Sequence, residues 1–494
     1  GEDTRDAVRV LHRLSLATHD SGSSLLRVHA LVQRATREAT PDKLRPQLAV
    51  AAANALVQLW PDPERDATHA QHLRANAVRL HATTGRLLWH QEYGAHPVLL
   101  RAGNSLGETG LVAAAAAYYH DLHTTAHQHL GPDHPDTLAT RGNLAHWRGQ
   151  TGDAAGAVAA FEQLLADYLR VLGPDHPDTL TTRDNLARWR GETGDPAGAV
   201  AAYEHLLTDR LRLLGPDHPD TLSTRADIAR WRGEMGDGAG AVVAFEQLLA
   251  DCLRVFGPDH PNTLAARHNL ARWRGEAGDA AGAVVTFEEL LADCLRVLGP
   301  DHPHTLATRG NLADWRGKAG DQAGAVVTFE ELFADCLRVF GPDHPETLTA
   351  RNNLAYWRVE AGDGTGAVVA FEELFADCLR VFGPDHPHTL AARANLATSR
   401  GRAGDVTGAL AAFEELLADC LRVVGPNHSY TLTARYNLAR WRGEAGDAAG
   451  AVAALEQLLT DRLRVLGPDH PDVLTTRIIL AHWRERAGGE NDRP

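Results

Sequence analysis

Between Leu180 and Leu214 the apolar residues fall at helical spacing, and they do so twice. In "DTLTTRDNLARWRGETGD" they stand at Leu180, Leu186, Ala187 and Trp189; in "PAGAVAAYEHLLTDRLRLL" they stand at Ala199, Val200, Tyr203, Leu206, Leu207 and Leu211. Steps of three and four put such residues on one face of a helix. The pattern therefore predicts two amphipathic helices, A and B. Pro177 and Asp178 mark the start of A, and Gly194 suits a left-handed C-cap at its end. Asp195 can N-cap B, with Pro196 in the first turn, where a missing N–H costs nothing. Gly215 closes B and Pro216 forbids its continuation.

The motif returns along the chain. The loop glycines Gly131, Gly173, Gly215, Gly257, Gly299, Gly341, Gly383, Gly425 and Gly467 are each 42 residues after the last. A fixed period of this size is the mark of an array of stacked units. The 494 residues thus need no division into several compact cores, because a solenoid is not limited by one core. The expected fold is an all-α right-handed solenoid from about Trp89 onward, with no sheet except a short hairpin between Ser15 and Val28.

Composition narrows the function. A formal net charge of −15 argues against a nucleic-acid or membrane-surface binder, which needs a basic face. No run of about 18 apolar residues predicts a transmembrane helix, and no leader pattern opens the chain. The start at Gly1 without Met reads as a piece of a longer, cytoplasmic protein. Cys252, Cys294, Cys336, Cys378 and Cys420 are one position copied at the repeat period. Copies one repeat apart lie beyond disulfide reach, so free thiols are expected.

The recurring "GPDHP" connector raises one chemical question. His176 and its copies could cap or pack at the loop, or build a ladder of metal sites with Asp175 and Asp178. Neighbouring loops are a repeat apart and each offers few ligands, so the structural role is expected, with no metal and no cofactor. No catalytic triad arrangement or phosphate-binding G-x-x-x-x-G-K-[ST] occurs, and "GNSLGETG" at Gly103 lacks the lysine. No enzyme is expected. Arg141 and Arg148 recur through the A helices, and Glu162 and Asp167 through the B helices. Arginine forks suit carboxylates, which predicts Arg–carboxylate ladders tying A to B.

Leu186, Ala187, Gly194, Asp195, Ala199 and Tyr203 resemble the tetratricopeptide repeat, as do Ile228, Ala229, Gly236, Asp237, Ala241 and Phe245. The 42-residue period with "GPDHPDTL…NLA" is most similar to the kinesin-light-chain type. By this resemblance residues 131–471 are tandem repeats and 472–494 a capping helix with its tail. Residues 89–130 are a degenerate first repeat, with Gly110 and Tyr119 in register with Gly152 and Phe161. Ahead of them, "AVRVLHRLSLATHDSGSSLLRVHALVQRATREAT" resembles the winged-helix end that follows the nucleotide-binding module in actinobacterial signal-transduction ATPases of the NB-ARC (STAND) type. Residues 1–40 would be that segment and 41–88 a helical linker. The resemblance implies a tetratricopeptide sensor domain of a signalling ATPase whose nucleotide-binding part is not on this chain; the alternative is a free-standing peptide-binding scaffold.

The family's groove is built from helix A. Carried over, its positions are Ala139, Gly142, Asn143, His146 and Gln150 with their copies. Residues at the 142 and 146 positions vary from repeat to repeat, as if free of packing duty. The resemblance implies that Asn143, Asn185, Asn269, Asn311, Asn353, Asn395 and Asn437 hold peptide backbone, since an amide offers both a donor and an acceptor; Asp227 is an exception in this column. Arg188, Arg230 and Arg272 form a cationic stripe, and His146, Tyr356 and Arg440 complete the candidate ligand-binding set. An anionic segment of a protein or peptide is the expected partner, without nucleic acid or membrane, and an oligomer is left open. The competing expectation is that the three arginines pair with Glu192, Glu234 and Glu276, four residues on along their own helices.

Overall fold

The computed structural model describes residues 9–14, 16–20, 25–61, 64, 67–468 and 470–490. Strands Ala17–Asp20 and Leu25–Val28 pair antiparallel, with Ala17 opposite Val28. The expected turn at Ser21–Ser24, the first eight residues and the tail after Glu490 lie outside the described residues. Helices Ala30–Ala39, Arg45–Leu59 and Ala67–Thr84 follow. A second hairpin, Trp89–His90 with Gly94–Ala95, corrects the expectation of a single one. Two-residue strands are too short to show an alternating pattern. Tertiary contact holds this hairpin: the Ala95 N–H donates to Asp136 Oδ2 at 2.6 Å.

The array begins with the pair Pro97–Glu108 and Val112–Leu130 and continues through eight full A–B pairs, from Pro135–Gln150 with Ala154–Val171 to Ser429–Glu444 with Ala448–Leu466. A last helix A, Pro471–Glu490, ends it. No helix among the described residues is long and apolar enough to cross a membrane.

Each core is shared by three helices. Ala241, Phe245, Leu248 and Cys252 of one helix B meet Leu222 and Ala229 of their own helix A and Ala266, Leu270 and Trp273 of the next. A helix B at the end of the array would leave one flank bare, and the unpaired last helix supplies Leu480 and Trp483 to cover it. Successive A helices touch one another whereas successive B helices stay apart. The ribbon therefore bends toward its A side, and the A helices line the concave face.

The close A–A approach depends on a glycine under a tryptophan. A Cβ added to Gly149, Gly191, Gly233, Gly275, Gly317, Gly401 or Gly443 would stand 2.5 Å or less from the indole of Trp189, Trp231, Trp273, Trp315, Trp357, Trp441 or Trp483 in the next repeat. One joint departs from this on both sides at once: Val359 replaces the glycine, and the buried Ser399 replaces the tryptophan.

Arginine rails bind the repeats as expected, with a connectivity the repeat pattern left open. Arg141 pairs with Asp167 of its own repeat at 2.6 Å, and seven further copies do the same. Arg190 reaches back to Glu162 of the preceding repeat at 2.9 Å, again in eight copies. A third rail was not foreseen: Arg170, at the end of helix B, grips Asp133 of the loop that opens its own repeat at 2.6 Å. Exposed pairs of this kind contribute a few tenths of a kcal/mol each, up to about 1.

After between five and six repeats the ribbon meets itself. The A–B turns form one edge of the ribbon and the GPDHP loops the other. At Gly110, Gly152, Gly194 and Gly236 a Cβ would run into Pro345, Asp385, Asn427 and His470 of the next turn. His344 Nε2 lies 3.3 Å from the Glu108 carbonyl across this seam. At Gly278, Gly320, Gly362, Gly404 and Gly446 the same construction meets nothing within 4 Å. The residue before each glycine follows the division: Thr109, Thr151, Thr193 and Met235 at the seam, Ala277, Ala319, Ala361, Ala403 and Ala445 on the open rim.

Candidate functional site

The concave face is laid down by the middle of each helix A. Its asparagines are half-buried, and most are turned onto their own helix. Asn143 Nδ2 donates to the Ala139 carbonyl at 3.1 Å, and Asn185, Asn269, Asn311 and Asn437 repeat the bond to Thr181, Ala265, Ala307 and Thr433. Asn395 instead donates to Asn352 Oδ1, and Asn353 accepts from Asn352 Nδ2. The i−4 bond uses one proton of the amide, and Asn311 Nδ2 also lies 3.5 Å from His268 Nε2.

Arg188, Arg230, Arg272 and Arg440 each lie over the indole that follows them, with the guanidinium carbon 5.1, 4.3, 5.1 and 5.4 Å from the ring centroid. Among the described residues the arginines do not pair with the glutamates four residues on along their own helices; within its helix Arg230 comes to 4.0 Å from Asp227. Arg272 binds Glu234 at 2.8 Å and Arg230 approaches Glu192 at 3.7 Å, each acid belonging to the preceding repeat. Arg188 meets His146 Nδ1 at 2.9 Å instead. The A helices stand close enough for a neighbour's carboxylate to compete with the i+4 residue, which a single-helix count cannot register.

The variable positions do carry packing duty, contrary to expectation. Asp184 accepts from the buried Arg210 at 2.7 Å. His268 stands edge-on to Phe287 at 5.2 Å, and Tyr436 receives Arg462 over its ring at 5.2 Å. His146 is wedged against Trp147 and Trp189. The signal lay in paired variation: Arg210 and Arg462 replace the usual Cys opposite Asp184 and Tyr436, so the two columns change together.

Burial sets the titration of this face. His146 and His268 are each pushed down to about 4, mainly by desolvation, helped by Arg188 for the first and by His304 and Arg272 for the second. Asp227 is raised to about 6 by burial and then by Asp184, against Arg230, Arg188 and Arg210. The stripe is thus a mixed field in which every guanidinium already has a partner.

One column of donors lacks a partner. The buried indole N–H groups of Trp147, Trp189, Trp231, Trp273, Trp441 and Trp483 have none among the described residues. Trp357 differs: its N–H donates to Asp314 of the preceding repeat at 3.2 Å. Asp314 stands where other repeats carry His146, Arg188, Arg230 or Arg440. Tyr356 is 41% exposed beside Trp357.

The loop histidines are N-caps. His176 Nδ1 accepts from the Asp178 N–H at 3.2 Å, and the same bond opens every full helix A from His134 to His428. Histidine is not among the preferred cap residues, so packing and capping were equally open from the residue pattern. The five cysteines are free and buried on helix B. Burial raises their thiols, to about 12 for Cys336 and about 11 for Cys378 and Cys420.

Several solved structures are similar. A protein described as a kinesin light chain of nearly identical TPR-like repeats, from Podosopora anserina, is 29% identical; 42% of this chain and 97% of that one align, with a TM-score of 0.36. A Rap protein solved with Competence and Sporulation Factor is 13% identical over 75% of this chain and 98% of its own, at 0.47. A signal-transduction ATPase with numerous domains (STAND) and a tetratricopeptide repeat sensor, from Pyrococcus horikoshii, is 12% identical, at 0.46; 90% of this chain aligns with 60% of that one. No curated protein matches. Two profiles described as tetratricopeptide repeat match residues 149–210, 232–294 and 394–462, and residues 99–136, 305–346 and 347–388. Together they span more than half of the chain, and the chain belongs to the tetratricopeptide repeat proteins.

Proposed function

We propose that this protein-binding scaffold takes an anionic segment of a peptide or protein along its concave face, through Arg188, Arg230 and Arg272 with the neighbouring Asn185 and Asn269. The observation that carries this reading is the indole column. Where a carboxylate stands in the layer, at Asp314, it takes the next indole N–H; where Arg188 or Arg230 stands, the indole N–H of Trp231 or Trp273 has no partner among the described residues. An oxyanion entering between them would meet a guanidinium and an indole donor together. It would compete with Glu192 and Glu234, whose partly exposed pairs are worth at most about 1 kcal/mol each. Charge-assisted hydrogen bonds contribute about 1.5–3 kcal/mol each, so the exchange favours a well-placed ligand.

The test is calorimetry with a synthetic peptide alternating Glu and Gly, a serine-phosphorylated counterpart, and a Gln-for-Glu control. Binding of either acidic peptide and not of the control is expected. The change of Arg188, Arg230 and Arg272 to Ala should weaken it about a hundredfold when the three act together, with the melting temperature as the control for folding. Equal affinity for the Gln peptide would discard the reading.

In the cell, the scaffold would be the ligand-sensing region of a signalling ATPase, on the strength of the winged-helix resemblance around Ala7–Thr40 and the two helices before the array. The alternative is a free-standing scaffold. Genomic sequence upstream of Gly1 separates them: a phosphate-binding-loop module supports the first, and a start codon adjoining Gly1 supports the second.

A further inference from the structure

The A–B turns and the GPDHP loops are the two edges of one ribbon, and where they meet the groove becomes a walled channel. A segment entering from the side must part this seam. Across it His344 Nε2 lies 3.3 Å from the Glu108 carbonyl. Beside it lie two cavities of about 270 Å³, one between Trp231 and His470 and one between Trp189 and His428.

The four loops that face the lower turn carry His344, His386, His428 and His470 at their centres. His386 is 6% exposed, whereas the side chains of His176 and His218 on the free edge are 39% and 40% exposed. The joint without the glycine–tryptophan interlock, Val359 with Ser399, lies between the sixth and seventh A helices. A hinge there would carry the loops of His428 and His470 away from the turns of Gly194 and Gly236.

We propose that the seam is a proton-operated latch on the groove, closed when its loop histidines are neutral and opened by acidification, with the Val359–Ser399 joint as its hinge. The surroundings decide the sign. His344 faces the Glu108 carbonyl, and Glu346, Asp343, Glu108, Glu64, Arg74 and Arg79 share its cavity. His386 stacks on Phe382 and His388, and its neighbour Asp385 is held by Arg422. His428 faces Arg188, Arg230, Glu192 and Glu234, with Tyr430, His470 and Asp472 on its own side. His470 meets Asp472, Glu234 and Glu276, opposed by Arg462.

Burial lowers all four, against the Glu108 carbonyl at His344 and against Asp472, Glu234 and Glu276 at His470, and takes His428 down to about 4. A histidine held low in the closed form stabilises closure in full above its free value of 6.5 and loses that contribution as pH falls below it. For His428 alone, the closed-to-open equilibrium should shift about 30-fold toward open between pH 7.5 and 5.0.

The latch governs access to the groove proposed above, but its test uses the ligand-free protein, so either idea can fail without the other. Small-angle scattering and hydrogen exchange at pH 7.5 and 5.0, corrected for intrinsic rate, read the opening. Asparagine can cap a helix and cannot titrate. Changing His344, His386, His428 and His470 together to Asn should therefore abolish the acid response. The same change at His176, His218 and His260 on the free edge should leave it intact. Wild-type protein should gain radius of gyration and lose protection at residues 385–388 and 427–430 in acid. Installing the interlock as Val359→Gly with Ser399→Trp should reduce that gain. No acid response in the wild type, an unchanged response in the seam variant, or its loss in the free-edge variant would overturn the latch. An unchanged response in the interlocked variant would remove the hinge.

Discussion

The Val359–Ser399 joint offers a reciprocal experiment. Ser399→Trp alone drives an indole toward the Val359 side chain in a space that holds a glycine at the other joints. Overpacking of this kind costs about 1–3 kcal/mol. Val359→Gly alone removes a side chain packed against the sixth core and places glycine inside a helix, which together cost about 2 kcal/mol. Made together, the two changes recreate the interlock of Gly317 with Trp357. A newly buried indole is worth about 2–3 kcal/mol, which offsets the glycine. The double variant should therefore be at least as stable as the wild type, with a coupling energy of about 3 kcal/mol against the summed singles. An array opens in parts, so the assay is native-state hydrogen exchange of helices Pro345–Glu360 and Pro387–Arg402, supported by urea melts followed by circular dichroism. Additive single and double effects would refute the steric account.

Other consequences are as direct. The Cys336, Cys378 and Cys420 thiols, raised by burial, should resist a thiol reagent at pH 8 in the native protein and react fully in denaturant; rapid native labelling would contradict their burial. Asp227, at about 6 in the fold against an ordinary 3.8, favours the folded state when protonated and penalises it as pH rises through 6. Asp227→Asn should therefore stabilise at pH 7.5 and do little at pH 3.5, below the ordinary carboxylate value, as followed by thermal melts; a gain equal at both pH values would rule out the charge as cause. Arg225→Gln breaks one rung to Asp251, at 2.8 Å, and should cost no more than about 1 kcal/mol, less at high salt.

The repeat could be read from the sequence because each repeat states its own boundaries. Pro177, Gly194, Asp195 and Gly215 punctuate two helices by local chemistry, which no tertiary contact needs to correct. The inward face of helix A came from the resemblance to the tetratricopeptide repeat and not from this local pattern. What could not be read depends on residues far apart in sequence. Arg272 meets Glu234 rather than Glu276 because two A helices stand side by side. Asp184 has a packing role only because Arg210 replaces a cysteine opposite it. The seam joins residues such as Gly194 and Asn427, whose approach depends on the small rotation at every joint between them. The one local trace of it is the exchange of Thr151 and Thr193 for Ala319 and Ala361 in otherwise similar turns.

The claim that the concave face is the binding surface is tested most directly by a hydrogen-exchange footprint of the Glu-Gly peptide at saturation. The account predicts added protection on helices Pro177–Glu192, Pro219–Glu234 and Pro261–Glu276, with the intervening B helices unchanged. Protection confined to the B helices, or no footprint at a concentration where calorimetry reports binding, would contradict it.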